Sequence, residues 1–339
     1  MTKNIGSETS EKKIKDSYER RINYLRVSIT DRCNLRCFYC MPEKGISQIP
    51  HKDILRYEEI LRIIRIAVAN GIDKVRITGG EPLVRKGVVD FIKDVSSIKG
   101  IKDLSLTTNG VLLEDMAKDL YDAGLKRINI SIDSMREETY KKITRQNYLK
   151  KVIDGLKKAY EVGFAPIKIN AVIVRDLNDD EVVDFAKITE AYPFSVRFIE
   201  YMSIGSGNNW EEKLFVSSEE IKDKIGKYSK LIPIPKTEIS SPATNFKMEG
   251  AKGSIGFISP MSRHFCELCN RLRLTADGKI RSCLFSDVEI DLKDSLRSDE
   301  NDDSEISKII RQAILKKPEG HEKLNEHGDK KRSMYSIGG

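Results

Sequence analysis

The strongest constraint on the fold of this 339-residue chain is a regular alternation that begins near residue 24. Strand-like runs rich in β-branched residues fall at Tyr24 to Thr30, Asp73 to Thr78, Asp103 to Thr107, Arg127 to Ile132, Ile167 to Val174 and Ser195 to Glu200. Between them lie stretches with apolar residues at helical spacing, over 56–70, 88–98, 114–124 and 181–191. A strand, a helix and another strand in series require a crossover, and right-handed crossovers make neighbouring strands parallel. An α/β fold follows, with six units forming either a barrel-like or a doubly wound sheet.

Residues 1–20 are polar and aperiodic and read as a flexible arm, so the barrel-like part spans 21–205. Beyond about residue 205 the rhythm changes to short strand candidates, FKMEG, GSIGFIS, RLRLTADG and KIRSCLF, with Gly/Pro-rich connections. Residues 206–339 therefore read as a smaller C-terminal α+β region. Asp277-Gly278 between two alternating runs signals a hairpin. An acidic loop at 298–305 precedes one more helix over 305–316, and a polar tail ends in Gly338-Gly339.

Hydrophobic residues make up 39% and charged residues 33%, which fits a folded chain and not a disordered one. No apolar run approaches the ~20 residues of a membrane span, and the first residues read as neither signal peptide nor anchor. A net charge of +7 without a contiguous basic stripe argues against nucleic acid as a partner. A cytoplasmic protein is expected, and in a reducing cytosol clustered thiols point to metal binding or catalysis over disulfides.

The six cysteines form two triads: Cys33, Cys37 and Cys40, then Cys266, Cys269 and Cys283. The first follows the first strand as DRCNLRCFYCMP. Three thiolates at this spacing can hold three irons of a cuboidal cluster and leave the fourth open to a chelating molecule. A closed zinc site wants a fourth ligand, and His51 lies eleven residues on. The second triad also lacks a fourth thiol. Zinc is its competitor, with His264 available to complete a site. Between its cysteines, Asn270-Arg271-Leu272-Arg273-Leu274 alternates like a strand, which puts Arg271 and Arg273 on one face.

Cations interrupt the expected strands. Parallel strands covered on both faces should be almost continuously apolar, yet Arg26, Lys74, Arg76, Lys168 and Arg197 break them. Each could snorkel to solvent from a strand edge. If they point into a lumen together, a strongly anionic ligand such as a nucleoside triphosphate is needed to offset their burial. No GxxxxGK[ST] phosphate loop occurs in the sequence.

The CxxxCxxC spacing, with Tyr39 before the third cysteine, resembles the radical S-adenosylmethionine superfamily, as does Thr78-Gly79-Gly80-Glu81-Pro82. The segment FCELCNRLRLTADGKIRSCLF resembles the GTP 3′,8-cyclase family of molybdenum cofactor biosynthesis, and the likeness runs from about Arg21 to Gly339. It implies an incomplete (β/α)6 TIM-like barrel with a 4Fe-4S cluster at each opening and GTP between them. S-adenosylmethionine would chelate the open iron of the first cluster, with Tyr39, Gly80, Ser131 and Met202 around it. The open iron of the second would contact guanine. Arg26, Lys74, Arg76, Lys168, Arg197, Arg271 and Arg273 would bind triphosphate and guanine, and Thr107 the ribose.

The resemblance also implies that the Gly338-Gly339 end enters the active site. It further implies an electron donor such as flavodoxin or ferredoxin, hand-off of product to cyclic pyranopterin monophosphate synthase, and a homodimer. The competing readings are another radical S-adenosylmethionine enzyme with an auxiliary cluster, acting on a peptide, and a non-catalytic zinc or iron-sulfur protein.

Overall fold

The computed structural model describes residues 14–46, 48–202, 204, 211–235, 241–298, 302–320 and 332–338. In chain order its elements are β1 (Tyr24–Ser28), α1 (Tyr57–Ala69), β2 (Lys74–Thr78), α2 (Val88–Ser96), β3 (Asp103–Thr108), α3 (Leu113–Asp122), β4 (Arg127–Ser131), α4 (Glu137–Thr144), α5 (Leu149–Val162), β5 (Ile167–Ile173), α6 (Val182–Ala191) and β6 (Ser195–Glu200). They continue as α7 (Ser218–Tyr228), β7 (Leu231–Pro233), β8 (Ala243–Met248), β9 (Ser254–Ile258), β10 (Arg271–Leu274), β11 (Lys279–Arg281), β12 (Ile290–Asp291), α8 (Lys293–Arg297) and α9 (Asp303–Leu315).

Strands β1 to β6 lie side by side and parallel, as the alternation requires. The later strands do not form a separate layer. β9 pairs parallel with β6 and continues through antiparallel β8 and β7, while β10 pairs parallel with β1 and continues through antiparallel β11 and β12. The C-terminal strands thus extend both edges of one twelve-stranded sheet. A single cavity lined from β1, β2, β3, β4, β5, β6 and β10 shows that the sheet curls around a lumen.

The six parallel strands are not continuously apolar, and their two faces explain why. Leu25, Val27, Val75, Ile77, Leu106, Ile128, Ile130, Ile169, Val196 and Phe198 are buried outward against the helices. There they meet Ile60, Ile63 and Ile64 of α1 and Phe91, Ile92 and Val95 of α2 in one core. Each such side chain contributes roughly 1.5–3 kcal/mol when fully buried, so the outer layer alone can hold the wall. The inner face is left to polar groups. Arg273, Arg26, Arg76 and Ser105 stand side by side across β10, β1, β2 and β3, and Ser131, Asn170 and Arg197 across β4, β5 and β6.

Two expectations change. Residues 1–13 of the expected arm lie outside the described residues, but residues 14–20 are folded: Asp16 and Arg20 are buried and paired at 2.6 Å. The Arg20 guanidinium also donates to the carbonyls of Cys266, Pro318 and Glu319, so this segment belongs to the C-terminal packing. The acidic loop expected over 298–305 ends earlier, because the Asp302 carboxylate accepts from the Ser304 N–H at 2.7 Å and caps α9. The hairpin expected at Asp277-Gly278 joins β10 to β11.

Among the described residues no helix is long and apolar enough to cross a membrane.

Candidate active site

Strand direction separates the two triads. Cys33 follows the end of β1, so the first triad lies at the C-terminal ends of the parallel strands. Cys269 precedes β10, whose first residue Arg271 pairs with Tyr24 at the start of β1. Cys283 follows β11, which returns antiparallel to the same end. All six cysteines are partly buried and line one cavity of about 350 Å³, within the usual size of a small-molecule site. His264 shares that lining, whereas His51 lies elsewhere, in a groove beside Arg297.

The loop after β1 is clamped by the loop after β2. The Gly80 and Glu81 N–H groups donate to the Thr30 and Arg32 carbonyls, both at 2.7 Å. A Cβ on Gly80 would lie 2.4 Å from the Arg32 oxygen, and one on Gly79 2.7 Å from that of Thr30. Both glycines line the cavity, but backbone against backbone already requires them there. The fully buried Glu81 carboxylate then accepts from the N–H groups of Leu83 and Asn109 and the hydroxyl of Thr108. Asn109 passes the order on, donating to Asn34 Oδ1 at 2.7 Å and approaching Cys33 Sγ at 3.8 Å. Burial pushes the Glu81 carboxyl up to about 7 against these donors.

Tyr39, Ser131 and Met202 line the same end. The Tyr39 hydroxyl donates to Asp133 at 2.6 Å, and the other Asp133 oxygen accepts from the Val172 N–H at 2.8 Å. Burial raises the thiols of this triad, Cys33 to about 11 and Cys40 to about 12. Thiolates there need a cationic partner such as iron.

Of the cations expected in the lumen, Arg26, Arg76, Arg197, Arg271 and Arg273 line the cavity, as does Thr107. Lys74 and Lys168 face the same way in register but stand outside the lining. Burial, with repulsion from Arg273 and Arg76, pulls Arg26 well below the usual guanidinium range; burial and Arg271 bring Arg273 to about 10. Lys168 falls to about 6, through burial and then its neighbours Arg197, Arg127 and Arg76. A polyanion fits such a lining, since it offsets the repulsion that burial magnifies. Among the described residues, Tyr24 Oη, Thr107 Oγ1, Asn170 Oδ1 and Arg271 Nε are buried at the wall without a hydrogen-bond partner, as befits groups meant for a polar ligand.

At Cys269 of the second triad the electrostatics reverse. Burial would raise Cys269, but Arg271 and Lys317 outweigh it and bring the thiol to about 6. Lys317 is buried and donates to the carbonyls of Arg271 and Ser282, tying the strand after Cys269 to the residue before Cys283. The loop leading to Cys266 is fixed by Glu200, fully buried at the end of β6, whose carboxylate gathers the N–H groups of Ser218, Met261 and Ser262. Among the described residues no three His, Cys, Asp or Glu side chains converge on one point as the ligands of a single ion do. A cubane needs no such convergence, because each thiolate holds a different iron.

Residues 27–188 match the Radical SAM superfamily and residues 194–323 match Molybdenum Cofactor Synthesis C. The chain is 51% identical over 328 residues to GTP 3′,8-cyclase of Thermodesulfovibrio yellowstonii and 52% over 327 residues to that of Alkaliphilus metalliredigens, in each case across 96% of this chain and 100% of the relative. The chain belongs to the GTP 3′,8-cyclase family. As a radical S-adenosylmethionine enzyme of this family it uses S-adenosylmethionine and a 4Fe-4S cluster. Among solved structures, Streptococcus suis SuiB bound to precursor peptide SuiA superposes with a TM-score of 0.62 at 16% identity, covering 95% of this chain and 71% of SuiB. At that identity the likeness shows the fold.

In this GTP 3′,8-cyclase family chain, several wall residues escaped the sequence reading. Tyr24 and Asn170 lie two positions from Arg26 and Lys168 on the same strands, so the strand period that marked the cations could have marked them too. Glu81 and Glu200 escaped that reading because, apart from the Leu83 N–H beside Glu81, the partners that explain them are distant in sequence. The clamp at Gly80 is directly testable. Gly80→Ala should destabilise the protein by roughly 1–3 kcal/mol through overpacking and lower the iron retained per chain. Gly226→Ala in α7, where a Cβ meets nothing within 4 Å, should instead stabilise by roughly 0.5–1 kcal/mol. Thermal unfolding and iron per chain read both.

Proposed function

We propose that this cavity is where the chain carries out its reaction, with one iron-sulfur cluster held at each end and GTP between them. The chain converts GTP to 3′,8-cyclo-7,8-dihydro-GTP, the first step of molybdenum cofactor biosynthesis. The observation that carries the placement is the shared lining: both triads and five arginines face one space.

Cys33, Cys37 and Cys40 would hold the first cluster, with Tyr39, Gly80, Ser131 and Met202 around S-adenosylmethionine. Bound there, cluster and S-adenosylmethionine would supply one-electron reductive cleavage and hydrogen abstraction, chemistry that side chains cannot perform. Cys266, Cys269 and Cys283 would hold a second 4Fe-4S cluster. Arg271 is suited to orienting a planar, acceptor-rich guanine beside it, because its guanidinium already sits 4.8 Å from the Phe265 ring centroid. Arg26, Arg76, Arg197 and Arg273 would grip the triphosphate, with Lys74 and Lys168 adding charge from behind the lining, and Thr107 would meet the ribose. The bond to be made joins C3′ of the ribose to C8 of the base in one molecule. The protein's task is therefore to hold that molecule bent and dry.

The reading extends to what surrounds the reaction. A one-electron donor such as flavodoxin or ferredoxin would reduce the first cluster, and cyclic pyranopterin monophosphate synthase would take the product. The protein would act in the cytoplasm as a homodimer. Gly338 lies inside the fold, whereas Gly339 lies outside the described residues. We divide the chain into an arm, a barrel part to 205 and a C-terminal part from 206, the last two sharing one sheet.

Anaerobic reconstitution should yield about eight irons per chain, and incubation with S-adenosylmethionine, GTP and a strong reductant should give 5′-deoxyadenosine and cyclised GTP. Cys269→Ala should halve the iron and abolish GTP cyclisation. Zinc at the second triad, or intact clusters without either product, would overturn the reading.

Lys168 gives an independent test. With its ammonium depressed to about 6, the side chain is neutral in the ligand-free protein at pH 7.5. A bound triphosphate favours the charged form and raises that value, so GTP binding should take up roughly one proton and weaken as pH rises above about 6. Calorimetry in buffers of different ionisation enthalpy measures the uptake, which Lys168→Met should remove. No uptake in the unaltered protein would refute the assignment.

A further inference from the structure

The C-terminal tail is fixed at a point remote from its final glycines. Arg332 makes a two-bond pair with Asp277, Nη1 to Oδ1 at 3.0 Å and Nη2 to Oδ2 at 2.7 Å, and its Nε lies 2.7 Å from Glu289. Asp277 sits in the turn between β10 and β11, and Glu289 just before β12. Glu289 is held in turn by Arg281, which is almost fully buried. The three side chains of the pair and its neighbour are 14–18% exposed, so solvent screens this grip far less than a surface pair.

From that anchor the chain makes one tight turn, with the Ser336 N–H on the Ser333 carbonyl and the Ile337 N–H on that of Met334. Met334 and Tyr335 line the cavity, and Ile337 is buried in the fold. Tyr335 and Cys40 line the same cavity, and the Tyr335 backbone N–H works against the burial that raises the Cys40 thiol. Two residues on, the Gly338 carbonyl accepts from Arg273 Nη1 at 2.9 Å and the Ile337 carbonyl from the same nitrogen at 3.4 Å. Gly338 has φ +70, and a Cβ on it would lie 2.7 Å from Thr78 Cγ2, so backbone conformation and space both demand glycine. One short segment thereby lines the cavity beside Cys40 of the first triad and bonds the arginine between the cysteines of the second.

We propose that Arg332 is a positioning residue for the reaction: by gripping Asp277 and Glu289 it latches residues 332–338 across the cavity, so that the tail joins Cys40 to Arg273. The proposal rests on the reading that Cys40 holds the first cluster. Two consequences follow from the contacts. An N–H donated to a cluster thiolate stabilises the reduced, more negative state and raises the reduction potential. Two carbonyls on Arg273 fix the plane of its guanidinium, which presents its remaining donors to the substrate in one orientation.

The test uses full-length, anaerobically reconstituted protein, unaltered and as Arg332→Ala, Arg332→Lys and the near-isosteric Asp277→Asn. Amide exchange of 332–338, the midpoint potential of the first cluster and separate kcat and KM for GTP are measured, with iron per chain and Tm as controls. Arg332→Ala and Asp277→Asn should keep their iron, speed tail exchange at least about tenfold, shift the potential to more negative values and raise KM for GTP. Arg332→Lys, which keeps the charge but not the paired bonds, should fall between. If Arg332→Ala loses iron or unfolds, Asp277→Asn carries the comparison. Tail exchange and potential at the unaltered values in Asp277→Asn and in a folded Arg332→Ala would overturn the latch. Variants that free their tails beside an unaltered protein that forms no cyclised GTP would instead overturn the proposed function and leave the latch standing.

Discussion

The parallel pairing of β10 with β1 is the contact on which the site depends. β1 delivers Cys33 from its end, and the register Tyr24 with Arg271 through Val27 with Leu274 brings a strand from almost 250 residues later against its other side. Polar groups guard that seam. Asn23 bonds Asn270 at 2.7 Å and Asp73 at 2.6 Å, the Tyr24 N–H donates to the Asn270 carbonyl, and Arg20 holds the Cys266 carbonyl. Each bond contributes about 1 kcal/mol net, but a broken one would leave a buried partner unsatisfied at greater cost. Because β10 is parallel to β1 and β11 returns antiparallel, the second triad must fall at the opposite end of the lumen from the first. The separation of the triads is thus a matter of strand direction.

The same seam sets the electrostatics. Bringing β10 beside β1 places Arg273 next to Arg26, which already has Arg76 of β2 on its other side, an arrangement that works against folding. The outer layer of Ile, Leu, Val and Phe offsets it, and the inner face stays available for charge. A wall of this kind is least stable without an anion, and an anionic ligand should therefore stabilise the fold as well as occupy it. At the first triad the balance differs: burial raises the thiols and no guanidinium outweighs it, whereas Arg271 and Lys317 dominate at Cys269.

Much of this was legible in the sequence because it is periodic. The six parallel strands were placed to within about two residues of their observed ends, since β-branched alternation and helical spacing are local patterns. The mid-strand cations were recognisable as exceptions to the apolar rule, and five arginines reached the cavity wall. Lys74 and Lys168 share the inward face without reaching the lining, a distinction of depth that a period of two cannot express. What could not be read was pairing across long separations. Nothing local shows that the strands after 205 extend both edges of the first sheet, that residues 14–20 pack against Cys266, or that Glu81 and Glu200 each gather N–H groups from loops.

The glycines at the two ends of the argument make the same physical point. Gly80 and Gly338 were read for closeness to a ligand, and each is first required by closeness to the protein itself. Gly80 lets the loop after β2 press on the loop carrying Cys33. Gly338 lets the tail slip past Thr78 to reach Arg273. In an intramolecular cyclisation the reacting atoms already share a molecule, so catalysis gains little from bringing partners together and much from restricting conformation. Under the proposed reading, a cavity walled by clamped loops, in-register guanidiniums and a latched tail achieves that restriction with groups whose own freedom is already spent in the fold. Loosening a loop clamp would then lower the fraction of bound GTP in the bent form before it lowered affinity for the phosphates, whereas loosening the tail, which fixes Arg273, would weaken binding as well.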